Sequence, residues 1–131
     1  MFSRKKQPLI KSLIAKGTSV HGDVNFTDGL RIDGEVQGDV RAAGERSIVV
    51  VSESATVRGG VQAAHVIING TVEGPVQADE LLELQPRGRV TGDVRYKALE
   101  MHQGAMIAGQ MTPSELLLED APQLKLAASA D

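Results

Sequence analysis

Six copies of one short pattern, apolar-x-Gly-x-apolar, run through this 131-residue chain. They are Val20-x-Gly22-x-Val24, Val36-x-Gly38-x-Val40, Val57-x-Gly59-x-Val61, Val72-x-Gly74-x-Val76, Val90-x-Gly92-x-Val94 and Ile107-x-Gly109-x-Met111. The stretch Leu30–Val40 shows the pattern best. Ile32, Gly34, Val36, Gly38 and Val40 share one parity, and Asp33, Glu35, Gln37 and Asp39 share the other. A strand points successive side chains to opposite faces, so one face is apolar or empty and the other polar. A close copy returns at Val66–Val76.

The repeat distance selects the architecture. Successive core glycines lie 16, 21, 15, 18 and 17 residues apart. A period near 20 or below, made of short alternating strands, indicates a stacked solenoid. Second apolar runs fill the intervals: Leu30 and Ile32, Ile48 to Val51, Val66 to Ile68, Leu82 and Leu84, Leu99 and Met101. Three faces of about six residues then make one turn. Each strand pairs with the turns above and below, giving a single-stranded parallel β-helix.

Composition agrees with a core of that kind. Apolar residues make up 41% of the chain, yet only Phe2, Phe26 and Tyr96 are aromatic. Such a core must be built from aliphatic side chains in layers about 4.8 Å apart. Each ladder contributes about 25 cal/mol per Å² of apolar area removed from water. The glycines are expected at bends, where a side chain would crowd the interior. The residues after the core glycines, Asp23, Asp39, Gly60, Pro75, Asp93 and Gln110, read as a solvated outer face. Arg41–Ser47, in the longest interval, reads as a bulged loop inserted at a corner.

Nothing in the pattern supplies chemistry. There is no cysteine, hence no disulfide framework and no thiolate. His21, His65 and His102 take outward positions on different turns and are not expected to converge on a substrate or metal. Ser47, Ser52 and Ser54 have no neighbouring base, and no Gly-x-x-x-x-Gly-Lys phosphate loop is present. An acidic body without an aromatic platform disfavours nucleic acid. No catalytic, cofactor-binding or metal-binding residue is therefore assigned, and no cofactor is expected. The enzymatic alternative is a trimeric, left-handed β-helix acyltransferase of the hexapeptide-repeat type. Its strict six-residue register does not fit intervals of 15 to 21 residues.

The ends of the stack carry the expected activity. A parallel β-helix leaves unpaired strand edges at both ends, and these invite pairing unless a helix, charge or proline blocks them. At the first turn, Val20, Val24 and Phe26 offer no block. At the last, Leu99, Met101, Met106, Ile107 and Met111 are conspicuously apolar, and methionine packs adaptably. These residues are the expected polymer interface. Unlike ends would repeat head to tail, whereas like ends make two-fold contacts that must alternate to extend.

Charge divides the chain further. Residues 1–16 carry a net +5, residues 17–111 a net −5 and residues 112–131 a net −3. The basic arm, residues 1–12, is expected to reach a membrane surface through Met1, Phe2, Ser3, Arg4, Lys5 and Lys6. Each basic residue near anionic lipid contributes roughly 1 kcal/mol, and an array of copies multiplies a weak contact. Residues 13–111 form the β-helix, with Leu13 and Ile14 entering its first strand. Residues 112–131 form an acidic tail, expected to be disordered. Its start, Thr112-Pro-Ser-Glu115, is a capping-box signature for a short helix.

Three stretches carry a family resemblance: Leu30–Val40, Ile68-Asn-Gly-Thr-Val-Glu-Gly-Pro-Val76 and Leu84-Gln-Pro-Arg-Gly-Arg-Val-Thr-Gly-Asp-Val94. In their order they resemble the bactofilin family, over about residues 13–111. The resemblance implies a right-handed β-helix of about six turns in a bacterial cytoskeletal protein. It implies nucleotide-independent, non-polar filaments joined through like ends. It also implies a place at the inner face of the cytoplasmic membrane, where such filaments scaffold cell-wall synthesis or hydrolysis proteins. Met1–Lys6 is similar to the membrane-targeting start of many members.

Overall fold

The computed structural model describes residues 9–114. Thirteen strands follow one another along these residues: β1 Ile10–Ile14, β2 Ser19–His21, β3 Val24–Ile32, β4 Glu35–Gln37, β5 Val40–Val51, β6 Thr56–Arg58, β7 Val61–Ile68, β8 Thr71–Glu73, β9 Val76–Leu84, β10 Arg89–Thr91, β11 Val94–Met101, β12 Met106–Ala108 and β13 Met111–Pro113. The odd-numbered strands form one seven-stranded sheet and the even-numbered strands a six-stranded one. Every pairing is parallel and joins a strand to the equivalent strand one turn away. The chain is a β-solenoid of about six turns, as its period requires.

The three faces are built differently from three separate strands. Two of them belong to the same long strands, which fold over a register shift near their middle. The shift falls between Thr27 and Asp28 in β3, and between Arg41 and Ile48 in β5 against β7. It recurs between Ala63 and His65 in β7 and between Tyr96 and Ala98 in β11. Asp28, at one of these bends, has φ 65. The first face is the half that starts at Val24, Val40, Val61, Val76, Val94 and Met111. The second is the half that ends at Ile14, Ile32, Val51, Ile68, Leu84 and Met101. The short strands make the third.

The inward columns are aliphatic ladders. Val36, Val57 and Val72 stack on the third face, wholly buried. Ile32, Val51, Ile68 and Leu84 do so on the second. The bulge at Arg41–Ser47 lies inside β5, with Gly44 at φ 98. Its one buried polar side chain is satisfied: the Ala64 N–H donates to Ser47 Oγ at 2.8 Å.

The core glycines need a different reason from the one the sequence suggested. They form a column at one corner, with φ between 131 and 158. A Cβ added to Gly38, Gly59, Gly74, Gly92 or Gly109 would lie 2.1–2.4 Å from the carbonyl oxygen of the column's preceding glycine. The obstacle is backbone along the stack axis, not the interior. Gly22 opens the column and has no such neighbour.

The outer Asp positions also do more than face water. Asp23 Oδ1 accepts the Asp39 N–H at 2.9 Å, Asp39 Oδ1 the Gly60 N–H at 2.8 Å, and Asp93 Oδ1 the Gln110 N–H at 3.0 Å. Each carboxylate therefore ties its own corner to the next turn. Gly60 has no side-chain acceptor to offer, and the residue above it, Pro75, has no N–H to satisfy.

Candidate polymer interface

Each end of the stack shows one inward residue per face that has lost its neighbour on one side. At the N-terminal end these are Ile14, Val20 and Val24; at the C-terminal end they are Met101, Ile107 and Met111. In the interior the same three columns are sealed: Ile68, Val72 and Val76 are all but fully buried. At the end Met101 is 43% exposed and Met111 42%, with Ile107 half-buried. Met106 is the most open at 58%, on an outward column that carries Thr71 and Arg89 in earlier turns.

Of the sequence-derived interface residues, Met101, Met106 and Met111 are exposed end residues. Val20, Val24, Leu99 and Ile107 are half-buried and pack against the core. Phe26 is different. It is 7% exposed and belongs to the core cluster, so it supports the first turn from inside. Sequence reasoning missed Leu9, Ile10 and Leu13, which are 72%, 45% and 57% exposed. Strand β1 starts at Ile10 and pairs with the second half of β3, which brings these residues onto the N-terminal turn. The boundary drawn after residue 12 therefore cuts through β1, and at the other end β13 runs on to Pro113. The signal was present in Leu9-Ile10-x-x-Leu13-Ile14, a stripe that fits a helix as well as a strand. Met1–Lys6 and the tail beyond Ser114 lie outside the described residues.

Both ends also present open backbone edges. Strands β1 and β2 bound the two sheets on one side, and β12 and β13 on the other. Inside the stack the strands pair with the turns on either side, and corner residues of successive turns add backbone hydrogen bonds at 2.7–3.1 Å. The edge groups of the terminal strands have the same geometry to offer a further strand.

The lateral surfaces are mostly charged and paired. Arg58 Nη1 meets Glu35 at 2.7 Å, Arg41 Nη2 meets Asp39 at 2.7 Å and Lys11 meets Asp28 at 3.1 Å. The Ser52 hydroxyl, and then the Arg31 guanidinium, hold the Asp33 carboxyl below the usual carboxylate range. A shallow groove of about 380 Å³ runs over the first face between Arg41, Gln62, Gln77 and Arg95. It brings no nucleophile together with a base. His102 Nε2 lies 3.1 Å from Glu83, and with Glu100 these groups come within 4.8 Å of one another. The three histidines themselves stay on separate turns. No helix among the described residues is long and apolar enough to cross a membrane.

Comparison with known proteins agrees with this geometry. The family described as "Bactofilin: Polymer-forming cytoskeletal" matches residues 12–112. Bactofilin BacP of Myxococcus xanthus is 25% identical over 100 residues, spanning 76% of this chain and 40% of BacP. Bactofilin BacO of the same organism is 24% identical over 110 residues, spanning 84% of this chain and 85% of BacO. Among solved structures, a cryo-EM reconstruction of Thermus thermophilus bactofilin double helical filaments is similar with a TM-score of 0.67 and 29% identity. It covers 77% of this chain and 97% of that one.

Proposed function

Because the chain belongs to the bactofilin family, we propose that it is a cytoskeletal scaffold whose subunits join end to end, through their terminal turns, into filaments. The observation that carries this reading is the position of the exposed apolar side chains. Leu9, Ile10, Leu13, Met101, Met106 and Met111 are the exposed large hydrophobics among the described residues, and all lie on the first or last turn. Burying them against a second subunit removes apolar area from water and at the same time satisfies open strand edges. The filaments are non-polar, with like ends in contact, and need no nucleotide, since the contact is already formed in the folded subunit. The protein is not an enzyme in this reading.

The basic arm then places the filament at the inner face of the cytoplasmic membrane. Its support is the run Arg4, Lys5 and Lys6, ahead of β1 and with Phe2 beside it. A filament repeats the arm along its length, so avidity converts weak single contacts into firm attachment. Held there, the polymer localises cell-wall synthesis or hydrolysis proteins.

Negative-stain electron microscopy of the purified full chain without nucleotide tests the central claim. Filaments are expected; a stable small oligomer with no larger species would refute it. Liposome pelleting tests the arm separately. Intact protein should pellet with anionic vesicles and a variant lacking residues 2–7 should stay in solution, with equal pelleting counting against the anchor.

A further inference from the structure

The outward surface of the second face differs from the other two, and end-to-end assembly does not use it. Its central column reads, turn by turn, Leu13, Arg31, Val50, Ile67, Glu83, Glu100. The middle two are aliphatic, yet they point away from the core and stay half-buried. Basic charge lies on the N-terminal side of that pair and acidic charge on the C-terminal side.

We propose that two copies of this chain pair side by side through this face, with their stacks antiparallel. Two-fold symmetry about an axis along the strands reverses the order of turns and keeps each column opposite itself. Centred between the third and fourth turns, it sets Val50 against Ile67 of the second copy, twice. It also sets Arg31 against Glu83, twice. The polar flanking column agrees, since it sets Ser52 against Asn69. In the central column only Leu13 and Glu100 are mismatched, at the margins, where water reaches both.

The charged partners have capacity left for this contact. Arg31 uses Nε for Asp33 at 3.1 and 3.3 Å, and its Nη groups have no partner among the described residues. Glu83 engages His102 and Gln85 through Oε2, leaving Oε1 without a partner among the described residues. A parallel pair fails on the same residues. It would set Arg31 against Arg31 and Glu83 against Glu83, and it would lay the Ile48–Leu81 column over the Ser52–Gln85 column. Like charges placed opposite one another cost several kcal/mol.

The chain contains no cysteine, which makes crosslinking specific. Two full-length single variants, Arg31→Cys and Glu83→Cys, are purified separately and treated with a short bis-maleimide, alone and mixed in equal amounts. These positions lie three turns apart, so like positions in an antiparallel pair are offset by about 14 Å along the stack. Antiparallel pairing predicts a crosslinked dimer in the mixture and little in either variant alone. Dimer in each variant alone would indicate parallel pairing, and none in any sample would indicate no pairing; either overturns the proposal. The readout is independent of end contacts, because a crosslinked dimer without filaments in the microscope would reject end-to-end assembly and leave this pairing standing. Charge reversal supplies a second arm, read on the Val50→Cys chain, whose two copies meet beside the two-fold axis. Arg31→Glu and Glu83→Arg should each lower crosslinking efficiency by roughly tenfold, and the doubly reversed chain should recover it. Failure to recover, with circular dichroism unchanged, would remove the Arg31–Glu83 contact.

Discussion

The fourth and sixth turns are made from one pattern, but only the fourth is closed. Ile68, Val72 and Val76 point into the stack, and a turn covers them on either side. Met101, Ile107 and Met111 point the same way, and nothing among the described residues covers their far side. Burial in a solenoid is therefore a property of a residue's neighbours in the stack and not of its parity within the strand. Alternation decides which side chains face inward; position along the stack decides whether inward means buried.

The same substitution at equivalent places should break the comparison most sharply. Val57→Arg puts a charge where no water reaches, between Val36 and Val72. It should cost about 4–5 kcal/mol or more, a large share of a domain's typical stability, and leave little folded protein by circular dichroism. Ile107→Arg lies in the same column, but its guanidinium can reach water past the open end. It should keep the far-ultraviolet spectrum and lower the melting temperature far less than Val57→Arg does, while abolishing filaments. Filaments of normal length from Ile107→Arg would show that the C-terminal turn is not an assembly surface.

The glycine column offers the next largest effect. Gly74→Ala meets the Gly59 carbonyl oxygen at 2.4 Å, so the turn must shift, with an expected loss of roughly 2–3 kcal/mol. Gly22→Ala has the same kind of backbone, at φ 131, with nothing within 4 Å of the new Cβ. Its cost should be limited to backbone strain, about 1 kcal/mol. The difference between the two, read from denaturant midpoints, isolates the contact with the preceding turn. Equal losses would mean that dihedral strain alone selects glycine here.

The fold was legible because a β-helix repeats. Alternation located the inward residues, the 15-to-21-residue intervals set the turn, and the aliphatic composition fitted stacked ladders. What escaped was everything that depends on which turn lies next door. The glycines were read as relieving the interior, whereas the obstacle is the carbonyl of the column's preceding glycine. The aspartates after Gly22, Gly38 and Gly92 were read as solvated, although each accepts an N–H from the turn above. At the ends, Met101, Met106 and Met111 were recognised because the glycine core places them in the last turn. Leu9, Ile10 and Leu13 were not, since β1 precedes the first glycine core and has no repeat to set its register. Phe26 was placed in the polymer interface, whereas its first-face position points it into the core and leaves it 7% exposed.

The aspartate ties extend the comparison to smaller effects. Asp39 accepts the Gly60 N–H at 2.8 Å and also meets Arg41 at 2.7 Å. Asp39→Ala should cost about 1 kcal/mol, a typical net value for one such bond. Gln110 occupies the same column on the last turn, and its side chain has no described turn beyond it to bond. Gln110→Ala should be within about 0.5 kcal/mol of the parent. Thermal melts of the two variants under one buffer check the contrast, and an equal loss would show that these carboxylates do not bind turns together.

The smallest effect is a pH dependence that needs a neighbouring turn. The Asp33 carboxyl is held below the usual range chiefly by Ser52, one turn on, with Arg31 adding to it against the opposing effect of burial. A carboxylate with a depressed folded-state pKa favours folding wherever it is ionised in both states. Its contribution is complete above the unfolded value, about 3.9, and disappears as pH falls through the lower folded value. The acid limb of the stability curve should therefore steepen just below the ordinary carboxylate range. Ser52→Ala removes the main cause, so the Asp33 titration should move back up and that part of the limb should flatten. Arg31→Gln should do the same to a smaller extent. Melting temperatures of the three proteins between about pH 3 and pH 6 give the comparison. If the acid limb of Ser52→Ala overlays that of the parent, the tie between the second and third turns does not run through the ionised Asp33 carboxylate.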